Sequence, residues 1–241
     1  MKTKQNTFLQ GIIDGLPICI GYLSVAFAFG IFSIESGLSF KEALLISMTN
    51  VTSAGQLAAV PIICCGGGFV ELAATQFVIN LRYALMSVSL SQKLDKNVGT
   101  LDRLIISFVN TDEVFAVASG KGYSLKKGYL YGLILTSYLG WSFGTAVGAF
   151  AGNILPGIVI SSLSLAIYAM FVAIVIPATK ISRPTALCAL AAVVLSCAFK
   201  YIYPLNLTPN GFVIIICAVL ASAAMAYFAP IDTEGEEELY E

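Results

Sequence analysis

Long apolar segments separated by short polar connections make up most of the chain. The apolar segments cover residues 12–34, 43–65, 70–90, 129–150, 157–176, 185–199 and 211–229. Most are close to the roughly 20 residues with which a helix crosses about 30 Å of hydrocarbon. None alternates strictly between apolar and polar residues as the strands of an outer-membrane barrel do. The pattern predicts an all-α integral membrane protein, a polytopic helical bundle of about seven (six to eight) transmembrane helices.

Composition supports this class and excludes others. Hydrophobic residues make up 58% of the 241 positions and charged residues 11%, whereas soluble domains contain about 25% charged residues. With a net charge of -1 and no basic cluster, the chain is not expected to bind nucleic acid. The six cysteines lack metal-ligand spacing and the chain has no histidine, so neither a metal site nor a cofactor is predicted. No nucleophile and base pattern is recognisable, and an enzyme is not expected.

Amide and hydroxyl side chains lie in the middle of the second apolar segment, 43–65. They include Asn50, Ser53 and Gln56, and Gly55 allows the backbone to open beside them. Polar groups at this depth need protein partners or a wet cavity, because hydrocarbon offers no hydrogen bonds. One interpretation is a discontinuous or re-entrant helix that lines a substrate cavity. The alternative is that these side chains only hold packed helices together.

A Gly66-Gly67-Gly68 turn joins this segment to the third in a hairpin. Along 70–90, one helix face is predicted to carry a polar stripe of Gln76, Asn80, Tyr83 and Ser87. Arg82 lies off this stripe, and an arginine at mid-membrane depth costs roughly 2.5–3.5 kcal/mol. Its planar fork suits a substrate carboxylate. The alternative is a fixed ion pair with Asp112 or Glu113.

Most of the positive charge lies at 91–129 and at the N-terminus, so these regions, including 1–11, are predicted to be cytoplasmic. A short apolar stretch, 104–119, is interpreted either as a half-penetrating or interfacial helix or as a full crossing. Asp112 and Glu113 lie in its middle. With no histidine in the chain, they are the candidate proton carriers; the alternative is a cap or solvated pair at a helix end.

Two further features concern helix packing and helix ends. Glycines recur at intervals of four residues in the segment 129–150 and just beyond it, at Gly140, Gly144, Gly148 and Gly152. Such a ridge predicts a close approach of another helix, backbone against backbone. Asp14, near the start of the first segment, is interpreted as a solvated charge at a helix end.

A single transmembrane domain with a weak internal repeat is predicted. An ungapped offset of 116 residues aligns Tyr22-Leu23 with Tyr138-Leu139, which gives a first repeat at 12–120 and a second at 129–230. Under this offset the polar set around Asn50 corresponds to Ala166, Tyr168, Ala169 and Val172. The site would therefore be built mainly from the first half. The acidic stretch 231–241 is predicted to be a disordered tail.

Several of these motifs together resemble a known family. Ser53-Ala54-Gly55-Gln56 and Asn80-Leu81-Arg82-Tyr83 in the hairpin, Asp112-Glu113 before Phe115-Ala116, and Pro17 are similar to the AzlC type of branched-chain amino-acid exporter. Such a protein is the large subunit of an AzlC/AzlD-like, LIV-E family permease. The resemblance implies export of valine, leucine and isoleucine across a bacterial plasma (inner) membrane, with a small separate membrane subunit of the AzlD type.

The expected mechanism is alternating access around a site near the middle of the membrane. The candidate substrate-binding residues are Asn50, Ser53, Gly55, Gln56, Asn80, Arg82 and Tyr83. Either a proton gradient or the membrane potential could drive transport. Two other functions stay open at this point: a membrane scaffold or assembly subunit without its own transport site, and a transporter of another small amphiphilic solute.

Overall fold

The computed structural model consists of helices joined by short connections. It describes residues 7–121, 124–156, 158–159, 172, 175–176, 179–180 and 182–228. The helices are α1 (Phe8–Glu35), α2 (Phe40–Thr49), α3 (Ser53–Cys64), α4 (Phe69–Ser91), α5 (Thr100–Phe108), α6 (Asp112–Ser119), α7 (Lys127–Gly152), α8 (Arg183–Tyr201) and α9 (Asn210–Phe228). No strand occurs within these ranges. The predicted all-α class is confirmed.

Four of the described helices, α1, α7, α8 and α9, are long and apolar enough to cross a membrane. The second segment is divided between α2 and α3, and neither part alone has the length of a span. Most of the predicted span at 157–176 lies outside the described residues, as does the acidic tail. The count of about seven spans therefore stays a prediction.

The chain divides into two compact units. One comprises Met1–Gly66 with Gln76–Ile167, and the other comprises Gly67–Thr75 with Tyr168–Glu241. Helix α4 begins in the second unit and continues in the first. The candidate site residues named from the sequence all fall in the first unit.

In the first unit, α1 and α7 pack with their backbones in close approach. A Cβ added at Gly144 would lie 2.7 Å from the Leu23 carbonyl oxygen, and one at Gly140 would lie 2.6 Å from that of Cys19. At Gly148 an added Cβ would overlap the Phe27 carbonyl. The glycine ridge therefore faces α1, and only glycine allows this separation.

The second apolar segment is a broken helix, but the break lies elsewhere than expected. Helix α2 ends at Thr49, Asn50 to Thr52 are non-helical, and α3 begins at Ser53. Gly55, where the sequence placed the opening, lies inside the first turn of α3. Its role is spatial, since a Cβ there would lie 2.7 Å from the Gln76 side-chain oxygen.

The stretch 104–119 is also interrupted. Helix α5 ends at Phe108 and α6 begins at Asp112, with Val109 to Thr111 between them. These helices have 9 and 8 residues, so neither is long enough to cross a bilayer. If the stretch crosses the membrane, it does so as an interrupted helix, and both interpretations stay open.

Asp14 is not a solvated helix end, which corrects the interpretation made from its position. Its carboxylate forms an ion pair with Lys121 at 2.6 Å and accepts hydrogen bonds from Tyr129 Oη at 2.8 Å and Gln10 Nε2 at 2.8 Å. The contacts with Tyr129 and Lys121 tie α1 to the start of α7 and to the connection after α6. These two partners lie over 100 positions away in the sequence, beyond the reach of a local sequence pattern.

In the second unit, α8 packs against α9, and the start of α4 holds the start of α9. The buried carboxylate of Glu71 accepts a hydrogen bond from the Gly211 backbone N–H at 2.8 Å. Since the first N–H groups of a helix have no partners within it, Glu71 caps α9 from a distant part of the chain.

Candidate functional site

A small polar cavity lies where the two helix breaks meet. Its volume is about 170 Å³. The break between α2 and α3, the break between α5 and α6, and the polar stripe of α4 supply the lining, which consists of Thr49, Asn50, Val51, Thr52, Asn80, Tyr83, Ser107, Phe108 and Asn110. None of these lining side chains carries a formal charge. Non-helical backbone at membrane depth is tolerated where protein or a wet cavity satisfies its polar groups.

Gln76 organises the first break. Its Nε2 donates to the Gly55 carbonyl at 2.8 Å, and its Oε1 accepts from Asn50 Nδ2 at 3.0 Å and from Asn80 Nδ2 at 3.4 Å. Thr52 Oγ1 completes the network by donating to Asn80 Oδ1 at 3.0 Å. The stripe predicted on α4 thus fixes the broken segment, and Gln76 belongs with the candidate residues although the sequence did not select it.

At this break, the end of α2 has carbonyl groups and the start of α3 has N–H groups without partners inside their own helices. Thr52 is the N-cap of α3 but forms no side-chain cap, and its hydroxyl donates to Asn80. The first N–H groups of α3 therefore present the positive end of that helix without a cap. At the end of α2, Tyr138 Oη donates to the Met48 carbonyl at 3.0 Å.

Arg82 is already paired. Its Nη2 lies 2.9 Å from Asp112 Oδ2 and donates to Tyr83 Oη at 2.9 Å, with the guanidinium 4.8 Å from the Tyr83 ring centroid. The structure therefore contains the ion pair that the sequence offered as the alternative to a substrate clamp. Through Tyr83, this pair borders the cavity without lining it.

Glu113 is bound to α1. Tyr22 Oη donates at 2.5 Å to Glu113 Oε2 and lies 2.5 Å from Thr111 Oγ1, which also caps α6 by accepting from the Val114 N–H at 3.4 Å. Asp112 and Glu113 occupy the first turn of α6, where the helix dipole favours negative charge. This position suits a cap, and it also places two carboxylates beside the second break.

The other predicted residues lie away from the cavity. Ser53 and Gly55 belong to the first turn of α3 and do not line the cavity. Gln56 is fully buried, and neither of its amide atoms has a hydrogen-bond partner among the described residues. The sequence missed Ser107, in the last turn of α5, and Asn110, in the second break. Asn110 directly precedes the Thr-Asp-Glu motif, and this was the one feature of the sequence that could have indicated its role.

A larger groove of about 740 Å³ runs along α5 and α7. Its lining is Phe8, Leu104, Ile105, Phe108, Val109, Gly128, Tyr131, Ile134, Leu135 and Tyr138. Apart from the two tyrosine hydroxyls it offers no side-chain group to orient a polar ligand. It suits hydrocarbon chains, and the smaller cavity is the better candidate for a polar solute. No cluster of three or more metal-ligating side chains occurs in the described part of the chain.

Comparisons with known proteins find similar membrane proteins. The family described as AzlC protein matches residues 17–155. The inner membrane protein YgaZ of Escherichia coli is 30% identical over 195 residues, which cover 78% of this chain and 79% of that protein. An uncharacterized membrane protein of Archaeoglobus fulgidus is 32% identical over 226 residues, covering 93% and 96% of the two chains. No solved structure matches. The matched region contains both helix breaks and the whole cavity lining, and the chain belongs to the AzlC family of membrane proteins.

Proposed function

We propose that this chain is the large subunit of a two-component permease that exports branched-chain amino acids across a bacterial plasma membrane. The observation that carries the proposal is the uncharged polar cavity at the meeting point of two helix breaks. Interrupted helices around a midplane site are the usual way in which transporters expose backbone groups to a solute. A scaffold would not need such a cavity.

The ends of the broken helices suit a zwitterion. The uncapped start of α3 offers N–H groups and a positive helix end to a carboxylate. The end of α2 offers carbonyl groups and a negative helix end to an ammonium. Arg82 is less suited to hold the carboxylate, because Asp112 already occupies its guanidinium.

The size and lining of the cavity fit a small solute with an apolar side chain. Its volume of about 170 Å³ is below the roughly 300–1,000 Å³ of pockets for drug-sized ligands. Val51 and Phe108 supply apolar lining for a branched side chain. Because one methylene changes binding by only about 1–3 kcal/mol, valine, leucine and isoleucine should all be accepted.

The two breaks are also where the helices can bend during alternating access. Asp112 and Glu113 follow the second break directly, and they are the residues through which a proton gradient would act. The membrane potential is the other source of energy for moving a solute outward. A small AzlD-like membrane subunit would complete the transport path.

The test is efflux of preloaded labelled valine, leucine and isoleucine from cells that lack their own exporters. The chain is expressed alone and together with a candidate AzlD-like subunit. We expect efflux that requires the partner and falls about tenfold or more in Asn80→Ala, because this variant removes a group that holds the first break (tenfold is ~1.4 kcal/mol). Asn97→Ala, at an exposed asparagine between α4 and α5, is the matched control.

Two outcomes would contradict the proposal. No efflux of any branched-chain amino acid, with both subunits present in the membrane, would leave a transporter of another small amphiphilic solute or a scaffold. If Asn80→Ala lowered only the amount of protein and not the efflux per molecule, the polar network would be a packing device, as the scaffold function requires.

A further inference from the structure

We infer that Asn110 binds the ammonium group of the transported amino acid, an inference that rests on the proposed function. Asn110 lines the cavity from the second helix break and is only 3% exposed. Its Nδ2 donates to Ser87 Oγ at 3.1 Å. Its Oδ1 is buried and has no hydrogen-bond partner among the described residues.

A buried acceptor without a partner, such as Asn110 Oδ1, is expected to accept a hydrogen bond from a ligand or water. Buried polar side chains in folded proteins nearly always have partners, and an isolated one marks a place that a ligand or water fills. The hydrogen bond to Ser87 fixes the amide on the α4 side, so Asn110 is held in place before any ligand arrives. A pre-positioned acceptor in a protein interior, where the dielectric constant is lower than in water, interacts with a cation more strongly than the same group in water.

The surroundings of Asn110 favour a cation over an anion. Ser107 and Phe108, the last residues of α5, also line the cavity, and so does Thr49, the last residue of α2. Two helix C-termini with their carbonyl groups thus border the same small space as Asn110. Since the lining contains no carboxylate, these dipoles and the Asn110 carbonyl would bind the ammonium without a countercharge.

This arrangement predicts a substrate class. A ligand must donate a hydrogen bond from its α-substituent, so amino acids should be accepted and the corresponding 2-oxo acids, whose α-carbonyl only accepts, should be rejected. The rejection arises because an analogue without an α-donor leaves Asn110 Oδ1 buried and unpaired. The branched-chain 2-oxo acid has the same carboxylate and side chain, so only the α-group is compared.

The experiment measures binding to the full chain, purified with its partner subunit where efflux requires one. The probes are leucine, 4-methyl-2-oxopentanoate and 3-methylbutylamine, which lacks the carboxylate. In the wild type we expect leucine to bind at least tenfold more tightly than the oxo acid. Asn110→Leu should weaken leucine binding at least tenfold and abolish the preference over the oxo acid. Asn110→Asp places a carboxylate beside the ammonium and should raise the preference, and Asn97→Leu is the matched control.

Each outcome decides one question. If the wild type binds none of the branched-chain amino acids, the proposed function fails and the inference with it. If leucine binds but Asn110→Leu leaves its preference over the oxo acid unchanged, only the inference is overturned. If Asn110→Leu loses only the discrimination against 3-methylbutylamine, the inference is overturned too, because Asn110 would then bind the carboxylate. Where Asn110→Leu does not fold, Asn110→Asp decides, and a preference no higher than that of the wild type overturns the inference.

Discussion

Arg82 and Asp112 form an ion pair that links α4 to the first residue of α6, with 2.9 Å between Nη2 and Oδ2. Both side chains are about half exposed in the isolated chain. Because each is a charge in a chain of membrane spans, the pair stabilises two groups that would be costly alone. The pair therefore holds α6, and with it the second helix break, against α4.

We expect the two charges to depend on each other. Arg82→Leu should lower efflux about tenfold, and the double variant Arg82→Leu with Asp112→Leu should recover most of it, since removing both charges leaves neither unpaired (tenfold is ~1.4 kcal/mol). Arg82→Lys should keep most of the efflux, because an ammonium can still pair with one carboxylate. The measurement is efflux per molecule of membrane-inserted protein. A double variant as poor as Arg82→Leu, with an impaired Arg82→Lys, would instead support a substrate-carboxylate clamp.

The second prediction concerns the α1 and α7 interface. Gly148→Ala places a methyl group on the Phe27 carbonyl, so the two helices must separate. We expect the free energy of unfolding to fall by about 1–3 kcal/mol, measured as a lower midpoint of thermal unfolding in detergent. Gly21→Ala is the matched control, because an added Cβ at Gly21 in α1 meets no atom within 4 Å. It should be neutral or stabilising by up to ~1 kcal/mol through helix propensity.

The contrast between these glycines also shows what a sequence can reveal. The four glycines at intervals of four residues align on one helix face by geometry alone, so the packing face of α7 could be predicted. The apolar lengths predicted the helical membrane class for the same reason, since bilayer thickness fixes helix length. Both features depend on local spacing.

The position of the first break depends on a distant residue and could not be predicted. Gly55 is the residue with the greatest backbone freedom in the segment, yet it is helical and serves as the acceptor for Gln76, 21 positions away. The break lies at Asn50 to Thr52, where Gln76 and Asn80 bind the side chains. Asn110 was missed for a similar reason, because only the meeting of the two breaks makes it part of a cavity.

The third prediction tests the cap on α9. Glu71→Ala removes the acceptor for the Gly211 N–H, and we expect the free energy of unfolding to fall by about 0.5–2 kcal/mol, as for other helix caps. Glu71→Gln keeps a side-chain oxygen at the same place and should lose less stability. Limited proteolysis at the connection before α9 would report the loosened helix start. Equal protection in both variants and the wild type would mean that the cap contributes nothing.

The fourth prediction concerns acid stability at the start of α5. Hydrogen bonds from Tyr131 Oη and the Gly99 N–H hold the pKa of Asp102 below its ordinary value of 3.8. A carboxyl group with a lowered pKa in the folded state contributes stability above the unfolded value, and this contribution is lost as the pH falls through the folded value. Asp102→Asn should therefore be less stable than the wild type at neutral pH, with the difference shrinking below pH 3.8. Tyr131→Phe should reproduce part of the effect, and a difference independent of pH would contradict the assignment.

The last prediction tests whether Glu113 takes part in transport. Tyr22→Phe removes the hydroxyl that donates to Glu113 but keeps the ring, which packs edge-on against Trp141 with 4.9 Å between ring centroids. Since a hydrogen bond to a charged group contributes about 1.5–3 kcal/mol, we expect efflux to fall at least tenfold. Fluorescence of Trp141, the one tryptophan in the chain, would confirm that the packing is intact. Tyr227→Phe, at an exposed position on α9, is the control. Unchanged efflux with unchanged fluorescence would show that Glu113 acts only as a helix-terminal charge.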